Sequence, residues 1–316
     1  MLKLPEDSPE TECLIDIVSE HIHRFNDGAC ILGVQIGVIT GPCIADCGFC
    51  SFACSTTKAD DFIMSQNELE SIVEHVTRYD DVSVISLMTI HNIDVDDLLD
   101  AVKIVRKKVS NEVEIAINTG DLSLEEFKSL KKAGASRAYH SIRLDEGDTT
   151  RLNPLDRMMT VRSISQAGLK PIGCIEPIGP EHTPDYIARR YFEAEKEGYT
   201  KCSAAKRIAV PGTRLYGNGE ISDRRLQQIR SALFLSNRWL YGGFYGGMDH
   251  GYAEYAGSPK DNADYSETTM GRTIESVRKE MLQAGYTSIM KPNGHRVTLD
   301  DEYLSMTGSD VQSPGS

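Results

Sequence analysis

Residues 31–50, Ile-Leu-Gly-Val-Gln-Ile-Gly-Val-Ile-Thr-Gly-Pro-Cys-Ile-Ala-Asp-Cys-Gly-Phe-Cys, decide the fold, because they join a strand to three cysteines. Residues 31–39 are mostly apolar, which is typical of a strand buried on both faces of a parallel sheet. Thr40-Gly41-Pro42 ends that strand, and Cys43, Cys47 and Cys50 follow with C-x3-C-x2-C spacing. The pattern therefore predicts a cysteine loop at the carboxyl end of a central strand.

This spacing favours an iron–sulfur site. Three thiolates can hold three irons of a [4Fe-4S] cube and leave the fourth iron open to a small chelating molecule. A zinc site is one alternative, but structural zinc usually takes paired C-x2-C units, and the sequence has no second such pair. In another alternative, Cys54 is a fourth ligand and closes the cluster.

The rest of the chain alternates strand-like and helical stretches in units of about 25–35 residues, which indicates parallel strands joined by crossover helices. Seven or eight such units favour an α/β fold, a (β/α)8 TIM-type barrel that is closed or nearly closed, after an amino-terminal helix. Residues 1–28 are expected to form a helical extension, residues 29–300 the barrel, and residues 301–316 a disordered tail. Active sites of such barrels lie at the carboxyl ends of the strands, where the cysteine loop is predicted.

Composition narrows the class of protein. The formal net charge is −13, which argues against a general binder of nucleic acid or anionic membranes. The chain begins without a cationic region and apolar run, and it has no apolar stretch of about 18 residues. We therefore expect a cytoplasmic protein with no membrane partner. Its eight cysteines are not expected to form a disulfide scaffold, because the chain is large and acidic.

The cysteine segment Thr40–Cys50, with Phe49 before the last cysteine, resembles the signature of the radical S-adenosylmethionine (SAM) superfamily. The residue pattern of this segment is similar to that of biotin synthase, and the similarity extends through residues 122–133, 157–168 and 210–213. The resemblance implies that SAM chelates the open iron and is cleaved to methionine and a 5′-deoxyadenosyl radical. An electron from a low-potential donor such as ferredoxin or flavodoxin would reach the cluster and drive this cleavage, and the radical would then abstract hydrogen from a small organic substrate.

The resemblance also implies a set of residues that bind SAM. The alternation of residues 139–145 as a strand would aim Ser141, Arg143 and Asp145 the same way, as in the related [FeFe]-hydrogenase maturase. Arg157 is placed against the SAM carboxylate, and Thr89 replaces a family Gly-Gly-Glu stretch. Ordinary surface ion pairs are the alternative. The full implied set is Phe49, Thr89, Ser141, Arg143, Asp145, Arg157 and Glu176.

Substrate residues are less constrained by the sequence. Lys206 and Arg207, at a strand end, are candidates to bind an anionic group. His140 and His250 are candidate proton donors, and Tyr245 lies in a glycine-rich segment, residues 241–252, that fits a binding loop or lid. The plainer alternatives are solvated ion pairs, structural histidines and an irregular loop.

The chain departs from biotin synthase, whose second cluster supplies sulfur. The matching cysteine positions fall near Ser86, Ala116 and Ile172, so biotin formation is not expected. The favoured function is hydrogen abstraction in cofactor biosynthesis, followed by rearrangement, cleavage or ring assembly, for example in hydrogenase-cofactor assembly. The alternatives are sulfur insertion of the lipoyl synthase kind, with a second cluster from the other cysteines, and a non-catalytic iron–sulfur scaffold.

Overall fold

The computed structural model describes residues 1–25, 27–236, 250–255 and 272–307. Strands and helices alternate along the chain, as the sequence predicts. The strands are β1 Ala29–Thr40, β2 Phe62–Ile63, β3 Val82–Thr89, β4 Glu114–Asn118, β5 Arg137–Tyr139, β6 Lys170–Ile178, β7 Lys201–Lys206, β8 His250–Tyr255, β9 Ser288–Met290 and β10 Arg296–Thr298. The α-helices are α1 Pro9–Phe25, α2 Gln66–Val76, α3 Val95–Lys108, α4 Leu124–Ala133, α5 Pro154–Gln166, α6 Pro184–Glu197, α7 Asp223–Ser236, α8 Ile274–Gln283 and α9 Asp301–Thr307.

The central sheet is parallel. Strands β8, β1, β3, β4, β5, β6 and β7 lie side by side in that order, and each pairs in parallel with its neighbour. Helices connect consecutive strands, so the predicted α/β class is confirmed. The possible strand at residues 240–244 lies outside the described residues. Because the strands are parallel, their carboxyl ends meet at one face, where the cysteine loop follows β1.

Local capping explains where several helices begin and end. The Ser65 and Ser123 hydroxyls each accept a hydrogen bond from the backbone N–H three residues on. The Glu68 and Glu126 carboxylates in turn accept from the backbone N–H of these serines, so both form capping boxes. Gly134 ends α4 at a φ of 120°, a conformation that strongly favours glycine.

Both ends of the described chain pack on the barrel. The α1 extension lies against α7, where the buried Gln228 side chain donates to Leu4 O and to Thr11 Oγ1. The tail was expected to be disordered from residue 301, but residues 301–307 form α9. Tyr303 anchors this helix, because its hydroxyl donates to the buried Asp81. Residues 308–316 lie outside the described part.

The described helices include none that is long and apolar enough to cross a membrane.

Candidate active site

The cysteine loop folds back on itself after β1. The Cys43 N–H donates to Phe52 O at 2.8 Å, and the Cys54 N–H donates to Cys43 O at 3.2 Å. Within the loop, the Cys50 N–H donates to Cys47 O at 3.0 Å. These backbone bonds fix the chain between the three predicted ligands, so the thiols are held before any metal binds.

Asp46 fixes the outer side of the loop. It has a φ of 46°, and its carboxylate accepts from Ser55 N at 2.9 Å and pairs with Arg151 at 2.7 Å. The Arg151 N–H also donates to Ala45 O. Burial acts to raise the pKa of Asp46, but the hydrogen bonds from Ser55 and the charge of Arg151 outweigh it and lower the pKa. Asp46 therefore remains ionised and ties the loop to the segment before α5.

Gly48 is required by close packing. A Cβ atom there would lie 2.8 Å from the Arg214 Nε atom. The same residue donates from its N–H to Thr149 O and accepts from Leu215 N. Three separate segments of the chain therefore meet at this glycine in the middle of the cysteine motif.

All three predicted ligands line one cavity of about 280 Å³. Burial raises the pKa of Cys47 to about 12 and that of Cys50 to about 11, while the nearby Arg143 guanidinium opposes both shifts. Both thiols are therefore neutral at pH 7 without metal, and iron must displace their protons. We call this cavity the cluster cavity. Its lining includes the three cysteines and the polar residues Thr89, Thr119, Ser141, Arg143 and Arg157.

The residues of the cluster cavity fit a [4Fe-4S] cluster with a bound zwitterion. The Arg143 Nε and Thr119 Oγ1 atoms on its wall are buried and have no hydrogen-bond partner among the described residues. The described residues also hold no group of three His, Cys, Asp or Glu side chains close enough to bind a single metal ion. A cube binds each thiolate through a different iron, so it fits this wider arrangement better than one zinc ion does.

Cys54 is close to the loop but belongs to a different environment. Its Sγ atom lies 3.6 Å from Asp46 Oδ1, and the guanidinium of Arg151 lies 3.9 Å from the same sulfur. It does not line the cluster cavity. The alternative in which Cys54 closes the cluster therefore finds no support in its position.

Four of the residues implied to bind SAM line the cluster cavity, namely Thr89, Ser141, Arg143 and Arg157. The Thr89 hydroxyl lies 2.8 Å from Asn118 O. The Arg157 guanidinium is buried and already bound, because it donates to Ser141 O at 2.7 Å and to Asp121 Oδ1 at 3.1 Å. It therefore braces the wall of the cavity as well as bordering it.

Asp145 lies apart from these residues and borders neither large cavity. The predicted alternation through residues 139–145 requires a strand, but β5 ends at Tyr139 and Asp145 has a φ of 54°. Its carboxylate accepts from the Tyr186 hydroxyl at 2.7 Å and from His182 Nε2 at 3.1 Å. The carboxylate therefore faces α6 and the segment before it.

The sequence analysis missed Asp121, which organises the wall behind the cavity. Asp121 Oδ1 lies 3.2 Å from His140 Nε2 and accepts from Thr160 Oγ1 at 2.7 Å. Burial alone would raise the pKa of Asp121, but the hydrogen bond from His140 and the charge of Arg157 bring it well below its usual range. Its position directly after β4, at the carboxyl end of a parallel strand, is the signal that sequence reasoning could have used.

His140 is a buried part of this network, not a residue of the cavity surface. It lines neither large cavity, and its Nδ1 atom lies 3.3 Å from the Arg157 guanidinium. Burial and the charge of Arg157 lower the pKa of His140 to about 4, although Asp121 opposes the shift. The imidazole is therefore neutral at pH 7.

Glu254 was also missed, because its strand follows a glycine-rich segment. It lies on β8 opposite Gln35 of β1, and both side chains line the cluster cavity. Burial raises the pKa of Glu254 to about 7, and Glu280 adds to that shift while Arg272 opposes it. A carboxyl group thus joins Arg143 and Arg157 on the cavity wall.

A second cavity of about 470 Å³, called the chamber below, adjoins the cluster cavity. Five residues line both cavities: Gln35, Cys50, Met88, Asn118 and Arg143. Phe49 and Glu176, implied to bind SAM, line the chamber and not the cluster cavity. Glu176 accepts from the Tyr139 hydroxyl at 2.7 Å and pairs with Arg143 at 3.1 Å. Glu176 on the chamber wall therefore forms an ion pair with Arg143, which lines both cavities.

The predicted substrate residues are only partly brought together. Lys206 and Arg207 line the chamber, but Lys206 pairs with Glu220 and Asp223, and Arg207 pairs with Glu181. His250 is the first residue of β8 and pairs with Ile31, at the strand end opposite the cysteine loop. Tyr245 and residues 241–249 of the glycine-rich segment lie outside the described residues.

Residues 38–194 match the family model of the Radical SAM superfamily. The chain therefore belongs to that superfamily and is a radical SAM enzyme, whose cofactors are a [4Fe-4S] cluster and SAM. The resemblance seen in the cysteine motif is confirmed. No curated protein matches the chain significantly.

Solved structures confirm the overall architecture. Methylornithine synthase (PylB) is 16% identical, with a TM-score of 0.75 over 90% of each chain. The FeFe-hydrogenase maturase HydG from Carboxydothermus hydrogenoformans is 15% identical, with a TM-score of 0.69 over 89% of this chain and 72% of HydG. At such identities the likeness concerns the fold alone, and it agrees with the barrel predicted from the β/α alternation.

Proposed function

We propose that this radical SAM enzyme abstracts a hydrogen atom from a small organic molecule bound in the chamber. One observation carries the proposal: the cavity that contains the three cysteines adjoins a larger chamber, and Cys50 and Arg143 are among the residues that line both. When bound, the cluster and SAM supply a 5′-deoxyadenosyl radical. The chamber volume lies within the range of about 300–1,000 Å³ that is usual for small-molecule sites.

The residues of the cluster cavity have separate roles in this proposal. Arg143 has an unpartnered Nε atom for an anionic group, and Arg157 holds the backbone of Ser141 in place. Glu254 provides an acceptor for an ammonium group. Together they match the opposite charges of the methionyl part of SAM, since charge-assisted hydrogen bonds are the strong ones. Asp145 does not contact SAM in this proposal; its hydrogen bonds to Tyr186 and His182 hold the segment after β5 against α6.

The first experiment tests the chemistry. Protein reconstituted anaerobically with iron and sulfide should contain about four irons per chain. Reduced with dithionite and supplied with SAM, it should release 5′-deoxyadenosine. A reconstituted protein that binds the cluster but never cleaves SAM would support the scaffold alternative and contradict the proposal.

The positions of the other cysteines favour hydrogen abstraction over sulfur insertion. Cys13 is exposed on α1, whereas Cys30 is buried at the start of β1 and contacts Met281 of α8. Cys174 and Cys202 lie in neighbouring strands β6 and β7. Strands β3, β4 and β5 lie between β1 and β6 in the sheet, so Cys30 is not next to Cys174 and Cys202. Markedly more than about four irons per chain would reverse this preference.

The proposal also covers the kind of pathway that the enzyme serves, its electron donor and its cellular compartment. The reaction serves cofactor biosynthesis, ending in rearrangement, cleavage or ring assembly, with ferredoxin or flavodoxin as electron donor. The described cysteines are all free thiols, which suits a reducing compartment such as the cytoplasm. The test is transfer of deuterium from a labelled candidate metabolite into 5′-deoxyadenosine. Metabolites that transfer no label are eliminated.

A further inference from the structure

The register between strands β1, β3, β4 and β5 places one residue from each strand side by side on the wall of the chamber. Gln35 pairs with Ser86, Ser86 with Ala116, and Ala116 with Arg137, so these residues form one row across four neighbouring strands. All four side chains line the chamber. Arg137 is the first residue of β5, and the chamber therefore reaches from the cysteine loop toward the amino ends of the strands.

Arg137 is a buried cation with unused hydrogen-bonding capacity. The residue is 8% exposed, and its guanidinium pairs with Glu114 on one side. Its Nε atom is buried and has no hydrogen-bond partner among the described residues. A buried donor without an acceptor is unfavourable, so an acceptor on a ligand would stabilise this site.

The chamber has a one-sided distribution of charge. Besides Arg137, the cations Arg143, Lys201, Lys206 and Arg207 border it. The acidic partners of Arg137, Lys206 and Arg207 are Glu114, Glu181, Glu220 and Asp223, and none of these four borders the chamber, so its lining has more cationic than acidic side chains. Glu176 is the carboxylate on the described lining, and it is already bound by Arg143 and the Tyr139 hydroxyl.

We propose that the chamber takes an organic anion and that Arg137 binds its carboxylate at the end of the chamber away from the cysteine loop. The rest of the molecule extends toward Cys50, where the reacting carbon lies. Arg suits this task because its planar guanidinium matches a carboxylate. The inference rests on the proposed function, since it names the substrate class of the same site.

Binding to the unmodified protein tests this without a variant. Cluster-loaded protein with SAM is titrated by calorimetry with the straight-chain dicarboxylates from malonate to adipate and with the corresponding diamides. At least one dicarboxylate should bind, and its diamide should bind at least tenfold more weakly. Equal binding of acid and amide, or no binding by any member of the series, would overturn the assignment.

Variants locate the binding group. Arg137→Gln should weaken binding of the best dicarboxylate at least tenfold, Arg137→Lys should weaken it less, and Lys103→Gln on the exposed face of α3 should leave it unchanged. Unchanged binding in a folded Arg137→Gln protein contradicts the proposal. If Arg137→Gln fails to fold, the comparison of acids with amides still decides. If the protein cleaves SAM but binds none of these acids, the inference about Arg137 is wrong while the proposed function still stands.

Discussion

Cys47 and Cys54 belong to the same loop but face different surroundings. Cys47 lines the cluster cavity, whereas Cys54 contacts Asp46 and Arg151 on the outer side. We expect Cys47→Ala to lose the brown chromophore and SAM cleavage, because an open cluster needs all three thiolates. Cys54→Ser is the matched control and should keep both. The visible absorbance of the cluster and chromatography of 5′-deoxyadenosine measure the outcome.

His140 makes stability depend on pH. Its folded-state pKa of about 4 lies below the ordinary value of 6.5, so between these values the unfolded chain binds the proton and the folded chain does not. Stability should therefore fall as the pH falls from 6.5 to 4, by at most about 3 kcal/mol from this group. Asp121, whose pKa is lowered, adds to the loss only below its ordinary value of 3.8.

Denaturant unfolding at pH 7 and pH 5 measures this effect. His140→Asn should reduce the difference in unfolding free energy between the two pH values, because asparagine does not titrate. The exposed His295 provides a control through His295→Asn, which should leave the difference as it is. An equal pH dependence in the wild type and His140→Asn would assign the effect to other groups.

At the residue scale the sequence predicts the cluster ligands better than it predicts the other residues around the cluster cavity. The three cysteines share a spacing that only a few metal sites need, so Cys43, Cys47 and Cys50 are evident from the chain alone. Asp121 and Glu254 carry no such spacing. Their importance depends on strands β4 and β8 ending beside the cysteine loop, which is a property of tertiary structure.

At the scale of elements, Gly48 provides a test of loop packing. Gly48→Ala should destabilise the protein by about 1–3 kcal/mol, as overpacking usually does, and reduce iron content, because the new Cβ meets Arg214. Gly217→Ala is the control, since nothing lies within 4 Å of its Cβ position. Adding Arg214→Ala to Gly48→Ala should restore part of the iron content. No recovery would mean that the backbone of Gly48, and not the clash, is limiting.

The accuracy of predicted elements follows the strength of local signals. Asp94 is the N-cap of α3, and the strand predicted over residues 31–39 forms as β1. Strand β5 is shorter than predicted, because the chain turns after Tyr139. Helix α2 was not predicted, although Ser65 and Glu68 supply its capping box. Its apolar residues Leu69, Ile72, Val73 and Val76 have the i, i+3, i+4, i+7 spacing of an amphipathic helix, so the sequence contains the signal for this helix.

At the scale of the whole molecule, the buried pair Asp81 and Arg278 joins the start of β3 to α8 and α9. Arg278 donates to both carboxylate oxygens, at 3.0 and 2.6 Å, and Tyr303 closes the network. Arg278→Met should lower the free energy of unfolding by about 3–5 kcal/mol, because it leaves Asp81 charged and buried.

The double variant Asp81→Asn, Arg278→Met should recover part of that loss, since the isolated charge is then gone. The exposed pair Lys103 and Asp100 gives the comparison: Lys103→Ala should change stability by less than about 1 kcal/mol. Denaturant midpoints measure all three. A double variant less stable than Arg278→Met would show that polar contacts to Tyr303 dominate.

The whole fold is predictable because β/α alternation leaves few topologies. The ends are less so: residues 301–307 fold because Tyr303 contacts a pair that is distant in sequence, and no local pattern announces it. The chamber is likewise invisible in the sequence. Its lining comes largely from β1 and from β3 to β8, and only the register of the strands brings Gln35 and Arg137 into one row.

The wall shared by the two cavities has a thermodynamic consequence. Cys50 and Arg143 border both, and Arg143 also holds Glu176 on the chamber side. A molecule that engages Arg143 from one cavity changes the partner available to the other. If SAM and the substrate bind as proposed, their affinities are linked, and linkage is reciprocal: whatever factor SAM applies to the affinity of the substrate, the substrate applies to the affinity of SAM.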